Sequence, residues 1–242
     1  MRNRAICSIN GGGAGSAGAT GATGATGAAG AAGASGAPGY LTTVLTKPVL
    51  ASFTIRNQGT ATIADSAAGI YFNDKTTSDN WRYVWKASPA SPYAITLLGV
   101  TSLERNASAF PAAFGLAWRD SVSGHYSIFH YQPQLGVSGG TLHVTRFSNE
   151  TTSAGDDTTM AIFPASGQPF WLKLSDDGTN VNYFYSADGV NWLQILTVAY
   201  ASGYLGAGGY NQIGLAFNPN VGAIAAGFNP SSTALHWAQS AS

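Results

Sequence analysis

Beyond residue 50 the chain alternates between two kinds of sequence. Short runs rich in aromatic and β-branched residues change places with clusters of Gly, Asn, Asp, Ser and Pro, the pattern of strands joined by tight turns. These runs predict strands near 52–57, 68–73, 80–86, 93–100, 113–119, 125–131, 141–147, 169–175, 180–186, 191–198, 211–217 and 233–238. The signal is clearest from Phe170 to Val198, where Asp177-Gly178 and Asp188-Gly189 separate alternating segments. Asp-Gly between such segments is a strong hairpin signal. No stretch carries a convincing helical period. About 190 residues of this kind suit one large all-β domain, a sandwich or a barrel.

The first 50 residues follow a different rule. From Gly12 to Gly39 every third residue is glycine, and the residues between are nearly all small. Three polyproline-II-like chains wind together only if their crowded axis carries no side chain, so glycine must recur once per turn. The tract therefore predicts a collagen-like triple-stranded stalk in a homotrimer, with Gly15, Gly18, Gly21, Gly24, Gly27, Gly30, Gly33 and Gly36 on its axis. At about 3 Å per residue it spans roughly 80 Å. Such tracts usually carry abundant proline, and this one has only Pro38. A flexible linker or a differently packed Gly-rich bundle are the alternatives, although a linker needs no phase. Four regions result: an N-terminal peptide at 1–11, the stalk at 12–39, a neck at 40–50 and a head at 51–242. In the neck, Leu41, Val44 and Leu45 either clamp the stalk's end against their symmetry mates or begin the core of the head.

Charge narrows the partners. Only 9% of residues are charged, and eleven acids balance eleven bases. No basic stripe is available for nucleic acid or for an anionic membrane. No residue from Ala5 to Thr46 is charged, so ion pairs do not set the stalk's register. Cys7 is the single cysteine, which excludes an intrachain disulfide framework; it is either a small buried residue or a cross-link between chains. The first ten residues lack the apolar run of a signal peptide, and no apolar segment is long enough for a membrane span. A stalked protein without a signal is expected to be made in the cytoplasm and to leave by lysis.

The segment Phe170-Trp171-Leu172-Lys173-Leu174, then Asp177-Gly178, then Tyr183 through Trp192 resembles the middle of concanavalin A-like (laminin-G-like) jelly rolls. Tyr93 to Val100, Gly115-Leu116-Ala117 and Ala234 to Trp237 fit the strand order of that family. The resemblance covers roughly 51–240, and its one specific motif is Ser186 to Trp192. It implies an antiparallel two-sheet jelly-roll sandwich that binds carbohydrate, as such domains commonly do. Hydrolases of this class carry an E-x-D-x-x-E pattern on one strand, and this chain has no match to it. A stalk joined to a β head also resembles bacteriophage fibre proteins. The expected protein is thus a trimeric virion fibre, its N-terminal peptide docked on a virion or tail protein, its head attached to a host-surface glycan. A purely structural decoration fibre, or a bacterial surface adhesin, is the alternative.

No catalytic constellation is legible. A retaining glycosidase needs two carboxylates about 5 Å apart; the only glutamates are Glu104 and Glu150. Asp156-Asp157 and Asp176-Asp177 fall in predicted loops. The four histidines show no metal-ligand spacing, there is no nucleophile elbow, and the glycine repeat is not a phosphate-binding fingerprint. The chain is expected not to be an enzyme and to hold no metal or cofactor. Sugar sites combine an aromatic ring with a few placed polar groups. Trp171, Trp192 and Trp237 lie in motif strands and are assigned to packing. Trp81 follows Asp74, Asp79 and Asn80 in a polar loop, and is expected at the surface. Alternation turns Leu116 and Trp118 one way with Arg119 opposite, and Leu142 and Val144 one way with His143 and Thr145 opposite. Arg119, His143, Tyr126 and His130 are therefore the candidates to line a groove with Trp81.

Overall fold

The computed structural model of this chain describes residues 18, 44–75, 80–102, 112–133, 140–162, 167–199, 204, 210–219 and 230–241. The N-terminal peptide, Leu41 and every expected axis glycine except Gly18 lie outside these residues. The chain divides into two units, Met1–Ala37 and Pro38–Ser242.

Among the described residues the second unit is all β apart from one 3-10 turn at Leu50–Ser52. Its strands are β1 (Thr54–Arg56), β2 (Thr62–Asp65), β3 (Ile70–Asn73), β4 (Arg82–Ala87) and β5 (Tyr93–Thr101). There follow β6 (Ala113–Arg119), β7 (Tyr126–Pro133), β8 (Gly140–Phe147), β9 (Ser153–Ile162) and β10 (Phe170–Asp176). The last four are β11 (Asn180–Ser186), β12 (Leu193–Ala199), β13 (Gln212–Asn218) and β14 (Ser231–Ala241). A front sheet takes the order β1-β4-β13-β6-β7-β8-β9, and a back sheet the order β12-β11-β10-β5-β14-β3-β2. Every pairing is antiparallel. This is the expected two-sheet, jelly-roll-like sandwich.

The two-residue period of each strand builds the core. Phe114, Leu116 and Trp118 on β6, with Phe129 and Tyr131 on β7, face Ile95 and Leu97 on β5 and Phe170 and Leu172 on β10. Aromatic rings meet across the gap: Tyr131–Phe170 centroids lie 4.7 Å apart and Trp118–Tyr183 centroids 5.2 Å. Two buried hydrogen bonds also span it, from Trp118 Nε1 to the Tyr93 hydroxyl at 3.2 Å and between Ser127 and Tyr183 hydroxyls at 2.7 Å. Because neutral pairs such as these satisfy polar tips that burial would otherwise strand, they fix the registry of one sheet on the other.

Two strands depart from expectation. β2, at Thr62–Asp65, is not among the strands expected from sequence. Asp156 and Asp157 lie in β9 and not in a loop. The register of β9 on β8 slips at Val144/Thr145 and at Arg146/Phe147, and Gly155 sits at φ 109°. Bulges of this kind spoil the alternation that a sequence reading relies on, and acidic residues suit an edge strand that must not pair further. Trp81 is also a correction. It is buried, with only 2% of its surface exposed, because it leads into β4 and its ring packs against His130 and Phe147 of β7 and β8. Trp171 and Trp237 are buried as assigned, whereas Trp192 is half-exposed and takes the Lys173 ammonium at 4.5 Å from its ring.

Thr46 ties the segment before the sandwich to β14 through one backbone–side-chain and one backbone–backbone hydrogen bond. Thr46 N donates to His236 Nδ1 at 2.6 Å, and Thr46 O accepts from Trp237 N at 2.9 Å. Val44 and Leu45 are exposed and outside the core of the head.

The two Asp-Gly turns share one device. Asp177 accepts backbone N–H bonds from Asn180 at 2.7 Å and Thr179 at 2.9 Å, which lower its carboxyl to about 2. Asp188 accepts from Asn191 and Val190, each at 2.8 Å, and is held lower still. Gly178 and Gly189 complete the turns at positive φ, and a Cβ on Gly189 would lie 2.7 Å from the Trp171 ring. Both carboxyls titrate below the unfolded value near ~3.9. Their stabilisation is therefore complete above pH ~4 and disappears as pH falls toward 2. Melting temperatures measured across that window are expected to drop, and Asp177→Asn is expected to flatten the drop. An unchanged pH profile in Asp177→Asn would refute the assignment.

Candidate functional site

The outer face of the front sheet is unusual for a sandwich because it is apolar and buried. Its central strands supply a floor of small residues: Ala113, Gly115 and Ala117 on β6, and Gly214 and Ala216 on β13. Bulky rings stand on either side, Trp81, Tyr83 and Trp85 along β4 and Tyr126 on β7. Strands β4 and β7 are three positions apart in the sheet, about 14 Å. Yet the Tyr83 and Tyr126 rings stack with centroids 5.0 Å apart and planes 8° apart. The rings therefore lean inward across the small floor. A Cβ on Gly214 would come within 2.8 Å of the Trp85 ring, which shows how closely that ring lies on the backbone.

At one end of this face the stack gives way to a cavity of about 160 Å³. His130 on β7 and His143 on β8 are register partners, and their imidazoles stack with centroids 5.0 Å apart and planes 5° apart. Trp81 meets His130 edge-on at 4.9 Å and Phe147 at 5.8 Å. Gln132, Thr145, Asp156 and Asn218 add polar groups to the wall.

Both imidazoles are held neutral. Burial, then the neighbouring His143, pushes His130 well below the usual histidine range. His143 is lowered by burial, against the opposing pull of Asp156, whose Oδ2 lies 3.6 Å from His143 Nδ1. His143 is held in place by the hydroxyls of Thr141, 2.8 Å from Nε2, and Thr159, 3.1 Å from Nδ1. The Thr145 hydroxyl donates to Asp156 Oδ1 at 2.6 Å. His130 Nδ1 and Trp81 Nε1 are buried with no hydrogen-bond partner. The arrangement offers flat apolar rings, neutral donors and acceptors, and one carboxylate. That set matches hydroxyl-rich ligands better than ions. Among the described residues no group of three or more His, Cys, Asp or Glu is arranged to hold a metal ion.

The five candidate residues share one face but divide between its ends. Trp81, His130 and His143 come together at the cavity. Tyr126, four residues along β7 from His130 and thus about 13 Å away, belongs to a separate polar network. Its hydroxyl donates to Glu150 Oε1 at 2.8 Å and accepts from Arg56 Nε at 3.2 Å. Arg119 lies over the Tyr126 ring at 5.5 Å and donates to Gln212 Oε1 at 2.5 Å. Gln132, Asp156 and Asn218 were not singled out from sequence. Gln132 shares the parity of His130 and was legible in principle. Asp156 was hidden by the bulges of β9, and Asn218 by a strand order in which β13 lies between β4 and β6.

No family model matches this sequence, and no curated protein does. Solved structures do. A protein of unknown function from Saccharomyces cerevisiae aligns over 80% of this chain and 98% of its own, with a TM-score of 0.54 and 14% identity. The carbohydrate-binding module CBM66 from Bacillus subtilis aligns over 78% of this chain and 96% of its own, at 0.52 and 12%. An alginate lyase from Klebsiella pneumoniae aligns over 76% and 85%, at 0.50 and 12%. At these identities the likeness is one of fold, shared by a binding module and an enzyme alike.

Proposed function

We propose that the head is a carbohydrate-binding sandwich whose ligand enters the front-face cavity between Trp81, His130 and His143. The observation that carries this reading is the cavity itself, walled by aromatic rings and holding two buried nitrogen atoms that lack partners. A space near 150 Å³ accommodates one six-membered ring, so the unit recognised is a single sugar residue, such as the end of a glycan chain. The arrangement supports binding over catalysis: among the described residues the cavity has one carboxylate, Asp156, and the His143 imidazole beside it is already engaged by two threonine hydroxyls. The period-three glycine tract supports display of this head on a homotrimeric stalk, as on a virion fibre attaching to a host surface. Three heads on one stalk raise a weak single-site affinity by effective concentration.

A glycan array probed with the full chain tests the proposal. Binding is expected, and His143→Ala is expected to weaken it about ten-fold, by removing a flat ring that the ligand packs against, while the melting temperature changes little. Failure to bind any glycan, or equal binding by His143→Ala, would overturn the reading. Sedimentation equilibrium of the same sample is expected to give three chains; a monomer would remove the stalk from the proposal and leave the cavity.

A further inference from the structure

A second, larger cavity of about 400 Å³ lies where the neck meets the head. Lys47 and Val49 of the neck, Phe53, Lys86 on β4, and Trp237 and Gln239 on β14 contribute to its wall. It shares no residue with the front-face cavity. Among the described residues no aspartate or glutamate lines it, and none forms an ion pair with either lysine.

The bonding of each group is incomplete. Lys86 Nζ donates to Gln239 Oε1 at 2.6 Å and Lys47 Nζ to Ser66 O at 3.1 Å. Each ammonium has three N–H donors, so each retains capacity. Trp237 Nε1 is buried with no partner, and such a donor is stabilised by an incoming oxygen. Phe53 packs edge-on to Trp237 at 5.2 Å, giving the same wall an apolar body. In a chain with zero net charge and only eleven lysines and arginines, two lysines on the wall of one cavity form a distinct electrostatic feature.

We propose that this cavity binds a compact organic carboxylate of about the size of one sugar acid. Lys47 and Lys86 take the carboxylate by charge-assisted hydrogen bonds, and the Phe53–Trp237 wall takes the carbon skeleton. The volume falls within the usual range of small-molecule sites. Neck and head both contribute, so the ligand bridges the two. The inference does not rest on the front-face cavity.

Titration calorimetry of the full chain with D-galacturonate, D-galactose and inorganic phosphate at low salt tests it. Galacturonate is expected to bind about ten-fold or more tightly than galactose at this site, and to weaken as salt rises. Lys86→Gln is expected to reduce galacturonate affinity about ten-fold, with Lys47→Gln, on the exposed neck, as the check that does not disturb β4. Galacturonate binding that survives in both lysine variants and is lost in His143→Ala would belong to the front-face cavity, which separates failure here from failure there. Equal binding of acid and neutral sugar, or unchanged affinity in both lysine variants, would overturn the proposal. Phosphate binding as tight as galacturonate would overturn the role given to the aromatic wall.

Discussion

Asp74→Ala is expected to destabilise the head by about 3–5 kcal/mol, the cost of leaving one member of a buried ion pair without its partner. Asp74 Oδ2 accepts from Arg82 Nε at 2.6 Å, and the two side chains are 0% and 3% exposed. Asp74 Oδ1 also accepts from the Thr60 hydroxyl at 3.0 Å, while Arg82 Nη1 donates to Asn57 O at 3.2 Å. The guanidinium lies under Gly59, 3.0 Å from where a Cβ would stand, so it has little room to swing toward water. For a domain of this size the loss corresponds to a fall in melting temperature of about 6–20 °C. The pair itself is not a large net source of stability, because desolvating both charges offsets most of their attraction. The double variant Asp74→Ala/Arg82→Met should therefore recover much of what the single variant loses. Thermal or urea unfolding measures both. A loss under about 1 kcal/mol in Asp74→Ala would mean that water reaches Arg82 and that the site is not sealed.

The fold was largely legible, and the site only partly so, for a common reason. Sandwich strands with one buried face announce themselves by alternation, and Phe170 to Val198 did so because its Asp-Gly turns also have a local cause in Asp177 and Asp188. β9 did not, because its two bulges break the period that carries the signal. On β8 the alternation of Leu142 and Val144 against His143 and Thr145 correctly separated the two faces. It could not say that both faces would be buried, since a sequence does not reveal which strands will carry bulky rings over a floor of small ones. Trp81 was misjudged on those grounds: polar neighbours in sequence, Asp79 and Asn80, suggested water, whereas its neighbours in space are His130 and Phe147. The stacking of His130 on His143 depends on pairing between strands some thirteen residues apart, information that only register supplies. Arg119 and Tyr126 met the parity rule yet lie at the far end of the face, because parity fixes a face and not a position along it.

Gly115→Ala is expected to damage the candidate site and the sheet together. Gly115 sits in the middle of β6, opposite His130 in the adjacent β7. A Cβ there would stand 2.0 Å from Phe129 O and 2.6 Å from His130 Cα. These are backbone atoms, so no rotamer change relieves the overlap, and the two strands must separate or shear. The strain is expected to cost about 3 kcal/mol or more, the upper part of the range for overpacking, and so to lower the melting temperature by roughly 6–12 °C. Because the displaced atoms include the Cα that carries His130, the imidazole pair and the cavity beside it should be disturbed even in molecules that remain folded. Glycan binding should then fall further than the loss of stability accounts for. Gly99→Ala is the control: the atoms nearest its Cβ would be on the Phe170 and Phe114 side chains, at 2.8 and 3.1 Å, in the core and away from the cavity. That variant should lose stability but keep affinity in its folded fraction. Unfolding curves and binding measured on the same samples make the comparison. If Gly115→Ala melts like the native chain, β6 and β7 are not held as closely as 2.0 Å implies. If it binds glycan as tightly, His130 is not part of the binding surface.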